Sequence, residues 1–160
     1  MQTKTVIDLT QDSSSSEDSN PDEDTLIGLR GQFVEVKRSN IRDTNMLGLF
    51  SLVNLKTDED EQGETLTGFE FEEEVTDDSK HNNRNTFEMH DGKQFFIKTR
   101  PTDVRKLGYY ANEARGRYKA NCYVTARYYR GRPRAQLRVL TQVRKGKELL
   151  WHYGDSFDGD

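Results

Sequence analysis

The sequence predicts a mostly β single domain behind a disordered acidic tail, and three observations carry that expectation. Short stretches alternate apolar and polar side chains at the two-residue period of strands. Frequent turn residues separate those stretches. No segment sustains a 3.6-residue apolar stripe with caps, apart from a short helix expected around Asp103–Lys106. The 160 residues suffice for one domain and a tail but not for two full domains.

Residues 11–24, QDSSSSEDSNPDED, hold almost nothing to bury, so ordering them would cost entropy without return. Residues 1–24 therefore read as the tail and 25–160 as the domain. FVEVKRSN, from Phe33, alternates as a first strand, and LGLFSLVNL follows after Asp43, Thr44 and Asn45 as a second. The acidic segment 57–90 is poor in pattern and reads as a variable insert. Only TLTGFEFEEEV, through Leu66, Phe69 and Phe71, suggests a strand there. FEMHDGKQFFIKT reads as a hairpin around Asp91-Gly92. NCYVTARYY, AQLRVLTQV and KELLWHYG complete the series, punctuated by a Gly-Arg-Pro turn and by Gly146.

Charge is distributed unevenly around a net of −4. Residues 1–24 hold seven acids and one lysine, and Thr57–Asp78 holds eleven acids. Arg115–Lys147 holds eleven basic residues and no acid. A solvated sheet face explains part of this, and a cationic surface for a polyanion or an acidic partner is the other reading. The single cysteine, Cys122, excludes an internal disulfide and suits a reducing compartment. No apolar run approaches the roughly 20 residues that span a bilayer, and Asp8 and Asp12 interrupt the only apolar cluster near the N-terminus. The three histidines are scattered, and no His, Cys or carboxylate set has metal-ligand spacing.

Val6-Ile7-Asp8-Leu9 is a short β-prone core followed at once by serines and acids. Such a segment can add as a strand to an exposed sheet edge, its acidic flank meeting basic residues beside the groove. Phosphorylation of Ser13–Ser16 would add about −1.5 to −2 charge at each site. VIDLTQDSSSSED resembles the SUMO-interacting motif of the PIAS family of SUMO ligases. The resemblance implies SUMO or SUMO-modified proteins as partners and a nuclear location.

Four stretches from about Gly31 to Phe157 resemble, in order, the SET domain of protein-lysine methyltransferases. VKRSNIRDTNMLGLFSLVNL is similar to the opening strands around a Gly-x-Gly-hydrophobic-Phe turn. Leu66-Thr67-Gly68 stands where the family has Tyr-x-Gly. LGYYANEARGRYKANCYV resembles the Asn-His-Ser and Asn-Cys region, and LRVLTQVRKGKELLWHYGDSF the closing Gly-Glu-Glu-Leu-x-x-x-Tyr-Gly segment. The resemblance implies small curved sheets with a C-terminal pseudoknot, an exception to the rule against threading. It also implies S-adenosyl-L-methionine as cofactor and a protein lysine as methyl acceptor, in a histone or other nuclear protein. The lysine, with a free pKa of about 10.4, must be neutral to react, and desolvation favours that form.

On this resemblance Tyr153 falls on the catalytic tyrosine. Leu47, Gly48 and Asn112 fall on cofactor-binding positions, and Trp151 and Leu66 on the substrate channel. Met46 replaces the first glycine, Leu66 replaces a tyrosine, and Glu113-Ala114 replaces His-Ser. A carboxylate at Glu113 can meet a ligand or a basic neighbour such as Arg115. These departures favour a catalytically inactive SET-like scaffold, recruited through SUMO to bind a protein. The retained Tyr153 and Asn112 favour the enzyme. A third reading takes Arg115–Lys147, with Tyr118, Tyr123, Tyr128 and Tyr129 among its arginines, as a nucleic-acid surface.

Overall fold

The computed structural model describes residues 22–41, 46–57, 64–79 and 84–152. The SUMO-type core Val6, Ile7, Asp8 and Leu9, and Tyr153, lie outside the described residues.

The described chain opens on a single helical turn, α1 (Glu23–Leu26). Glu23 and Asp24 stand at its N-terminal end, where the backbone amides favour negative charge. Four residues are too few for a self-standing helix, and the complete burial of Leu26 in the core holds this one. β1 (Val34–Arg38) then turns Val34 and Val36 inward. It pairs antiparallel with β2 (Leu47–Ser51), from Val34 opposite Ser51 to Arg38 opposite Leu47.

The acidic segment expected to carry one strand through Leu66, Phe69 and Phe71, before the first arm of the hairpin, carries three: β3 (Thr65–Gly68), β4 (Phe71–Glu74) and the hairpin arm β5 (Thr86–Glu88). Leu66, Phe69, Phe87 and Met89 from this stretch all belong to the buried core. Register shifts between Thr65 and Thr67, and between Phe71 and Glu74, interrupt the alternation by which strands are recognised. β6 (Gln94–Ile97) pairs with β5 as the expected hairpin, Phe87 opposite Phe95. The helix expected around Asp103 is instead a turn. The Asp103 carboxylate accepts the Arg105 N–H at 2.9 Å and holds its guanidinium at 3.1 Å, a local closure that competes with helix.

A 3-10 turn at Gly108–Tyr110 leads into β7 (Asn112–Glu113). The two longest strands follow, β8 (Cys122–Tyr129) and β9 (Arg132–Val139), and β10 (Leu150–Trp151) ends the described chain. The strands form four small sheets, ordered β1-β2, β10-β7, β3-β9-β8 and β4-β6-β5. β10 runs parallel to β7. The core is one cluster drawn from every sheet, including Leu26, Leu49, Leu107, Leu137 and Leu149. Burying each such side chain contributes about 1.5–3 kcal/mol.

Candidate functional site

The last described strand is held on two sides. On one, it runs antiparallel beside β2: the Ser51 N–H donates to Lys147 O at 2.9 Å and the Leu149 N–H to Leu49 O at 2.8 Å. On the other, β10 lies against β7, with Leu150 opposite Asn112 and Trp151 opposite Glu113. Asn121 clamps the same stretch. Its amide donates to Glu148 O at 3.0 Å, and its carbonyl oxygen accepts the Leu150 N–H at 2.9 Å. The closing segment is thereby threaded between β2 and the Asn112–Asn121 stretch, as the pseudoknot expectation requires.

Glu148 sits at the centre of this closure, 7% exposed. Its carboxylate accepts from Ser39 Oγ at 2.7 Å, the Asn40 N–H at 2.8 Å and Asn112 Nδ2 at 3.1 Å. Asn112 Nδ2 also donates to Leu47 O at 2.9 Å. A Cβ at Gly48 would stand 2.4 Å from Glu148 Oε2 and 3.3 Å from Asn112 Nδ2. Glycine is therefore needed here because a carboxylate packs against the backbone. Three residues expected to hold a cofactor, Leu47, Gly48 and Asn112, are brought together around one acid that carried no assigned role in the sequence. Its signal was present in the closing Gly-Lys-Glu-Leu run, as Asn121's was in the Asn-Cys pair.

Met46, where a glycine was expected, leaves its side chain 43% exposed. Its carbonyl accepts the Ser39 N–H at 2.9 Å, which extends the β1–β2 pairing by one step. Glu113, in place of a histidine, meets its neighbour: Arg115 Nη2 lies 3.2 Å from its carboxylate.

Trp151 and Leu66 are both buried in the core. The Trp151 ring stands edge-on to Phe69 at 5.8 Å. Phe69 and Leu66 in turn line a cleft of about 510 Å³ between β3 and the 30–33 and 104–106 loops. Arg30, Arg105, Lys106 and Arg134 also line it, and no carboxylate does among the described residues. β3 is fixed beneath the cleft by Thr67 Oγ1, which accepts the Leu107 N–H at 2.8 Å.

Two other groups that could carry chemistry are committed to structure. Burial pushes the Cys122 thiol well above its usual range, so it stays protonated. The Tyr110 hydroxyl donates to Pro101 O at 2.7 Å, and burial, then Tyr109, raises its phenol. Among the described residues no cluster of His, Cys, Asp or Glu could hold a metal ion.

No protein-family model matches this sequence, and no curated protein does. Solved structures do match. A Plasmodium falciparum protein assigned as a histone methyltransferase superposes with a TM-score of 0.55 at 15% identity, over 79% of this chain and 96% of that one. The Polycomb repressive complex 2 of Chaetomium thermophilum, in an autoinhibited conformation bound to S-adenosylmethionine, gives 0.55 at 17%, over 81% of this chain. SET8 from Cryptosporidium gives 0.53 at 14%, over 77% of this chain. This chain spans only 16% of the complex's matched chain and 58% of the Cryptosporidium protein. At such identities the likeness is one of fold. The fold of this chain is the SET-type fold of the histone methyltransferases.

Proposed function

We propose that this chain is a nuclear protein-lysine methyltransferase that uses S-adenosyl-L-methionine and is recruited to SUMO or SUMO-modified proteins by Val6, Ile7, Asp8 and Leu9. The observation that supports it most is the cluster in which Glu148 joins Leu47 and Gly48 to Asn112. Asn112 spends both amide hydrogens on Leu47 and Glu148, so its amide can serve a ligand only as an acceptor. An acceptor there suits the α-ammonium group of the cofactor, and half-buried Leu47 gives apolar cover beside it. Bound there, the cofactor would supply a sulfonium methyl group.

The chain's own part is to prepare the lysine. Trp151, Phe69 and Leu66 make an apolar wall that favours the neutral amine over the ammonium. Tyr153, two residues beyond Trp151, would carry its hydroxyl to the amine. Acidic side chains on and around β4, including Glu70, Glu73 and Glu74, would draw a basic segment such as a histone tail.

One observation favours a second reading, a SET-shaped scaffold that binds a protein without catalysis. Gly48 and Asn112 already have partners within the chain, so both residues are accounted for without a cofactor. Incubating the chain with methyl-tritiated cofactor and core histones separates the two. The enzyme labels lysine and loses at least about 100-fold in rate on Tyr153→Phe. Absence of label from a folded chain leaves the scaffold. SUMO binding is checked independently by chemical-shift titration, and Ile7→Ala together with Leu9→Ala should abolish it.

A further inference from the structure

The β8–β9 hairpin presents two faces of opposite character. Cross-strand partners share a face. Cys122 with Val139, Val124 with Leu137, and Ala126 with Ala135 line the face packed on the core. The other face carries Tyr123 with Arg138, Arg127 with Arg134, and Tyr129 with Arg132. It holds four arginines, two tyrosines and no acid.

Three features go beyond a solvated sheet. Arg127 and Arg134 are directly opposed like charges, an arrangement that weakens a sheet. Among the described residues, no carboxylate pairs with either of them. The exposed Tyr129 ring has the Arg134 guanidinium 5.3 Å from its centroid and that of Arg130 at 5.4 Å. Arg130 itself occupies a left-handed turn position (φ 52°) beside Gly131 (φ 79°). Asn or Gly is preferred at that place, so a cation is held at the hairpin tip against local preference. The face also continues into the cleft above Leu66, because Arg134 and Gln136 form one of its walls.

We propose that this face binds single-stranded nucleic acid, with phosphates on Arg127, Arg132 and Arg134 and a base stacked on Tyr129. Guanidinium groups supply charge for the backbone. The exposed ring supplies a sequence-tolerant platform for a base, and an acidic peptide would have no use for it. Tyr123 and Tyr129, six residues apart on one strand, stand about 20 Å from each other, so a strand of several nucleotides can follow the face. The proposal is independent of the methyltransferase reading.

The test is fluorescence anisotropy of the full chain with labelled oligothymidine of about 15 nucleotides, titrated with salt and repeated with poly-glutamate as competitor. Binding should weaken linearly in log–log form as salt rises. Arg127→Ala and Arg134→Ala should each reduce the slope by about 0.7. Tyr129→Leu should weaken binding about 10-fold and leave the slope unchanged. These side chains are exposed or at the surface, so folding is verified by circular dichroism melting of each variant. Poly-glutamate binding as tightly as oligothymidine, with Tyr129→Leu neutral, would assign the face to an acidic protein and overturn the proposal. So would no binding by the folded chain at low salt.

Discussion

The closing knot and the outward hairpin face both concentrate polar groups, and they use them in opposite ways. In the knot, one buried carboxylate receives three hydrogen bonds from residues 36, 108 and 109 positions away. On the hairpin, Arg127 stands opposite Arg134 in solvent, on a face that holds no acid. Buried charge is retained where partners satisfy it, whereas exposed like charges cost stability and must be tolerated for another reason. The polar groups of the knot therefore hold the fold together, whereas Arg127, Arg132 and Arg134 of the hairpin face solvent. Substitutions should separate the two regions by which measurement they move.

The largest effect is expected at Glu148. Glu148→Ala strands the Ser39, Asn40 and Asn112 donors inside the knot and should lower unfolding stability by about 3 kcal/mol in urea melts. A loss below about 1 kcal/mol would mean that the knot is not held from its centre. Gly48→Ala should cost about 2 kcal/mol, because its methyl must displace the Glu148 carboxylate. The double variant Gly48→Ala with Glu148→Ala should be less than additive, since the clash is gone once the acid is removed. Thr67→Val removes the acceptor of the buried Leu107 N–H and should cost about 1 kcal/mol. On the hairpin the sign reverses: Arg127→Thr should stabilise by about 0.3 kcal/mol at low salt, and the gain should vanish near 1 M salt.

The smallest effect is a pH dependence at Asp91. The Lys93 N–H, then the Tyr128 hydroxyl at 2.9 Å, hold this carboxyl below its ordinary range. A depressed carboxyl contributes stability that is present above its unfolded pKa, about 3.9. That contribution is lost as pH falls through the folded value. Melting temperature should therefore fall more steeply in acid for the natural chain than for Asp91→Asn. On the alkaline side, desolvation, then Asp91, pushes the Tyr128 phenol up to about 12. Ultraviolet titration should find one tyrosine ionising there.

How much of this was legible in the sequence depended on distance along the chain. β1, β8, β9 and the β5–β6 hairpin could be read because each alternates over enough residues to show its period. β3 and β4 appeared as one strand at most, since bulges at Thr65/Thr67 and Phe71/Glu74 spoil the period. α1 was hidden because it rests on the burial of Leu26 rather than on local preference. The Asp103 turn was mistaken for helix because its side-chain closure mimics a helix start. Leu47, Gly48 and Asn112, singled out by motif order, do lie together around Glu148. The partners of Glu148 could not be found so, because threading, rather than any sequence neighbour, brings them to it.

The most direct measurement of the central claim is calorimetric titration of the folded chain with S-adenosylmethionine and S-adenosylhomocysteine. A cofactor site built on Asn112 and the Leu47-Gly48 turn predicts micromolar binding of both. It also predicts that Tyr153→Phe leaves the affinity within about threefold while methyl transfer collapses. A folded chain that takes up neither compound at millimolar concentration would contradict the claim and leave the SET-type fold here as a binding scaffold.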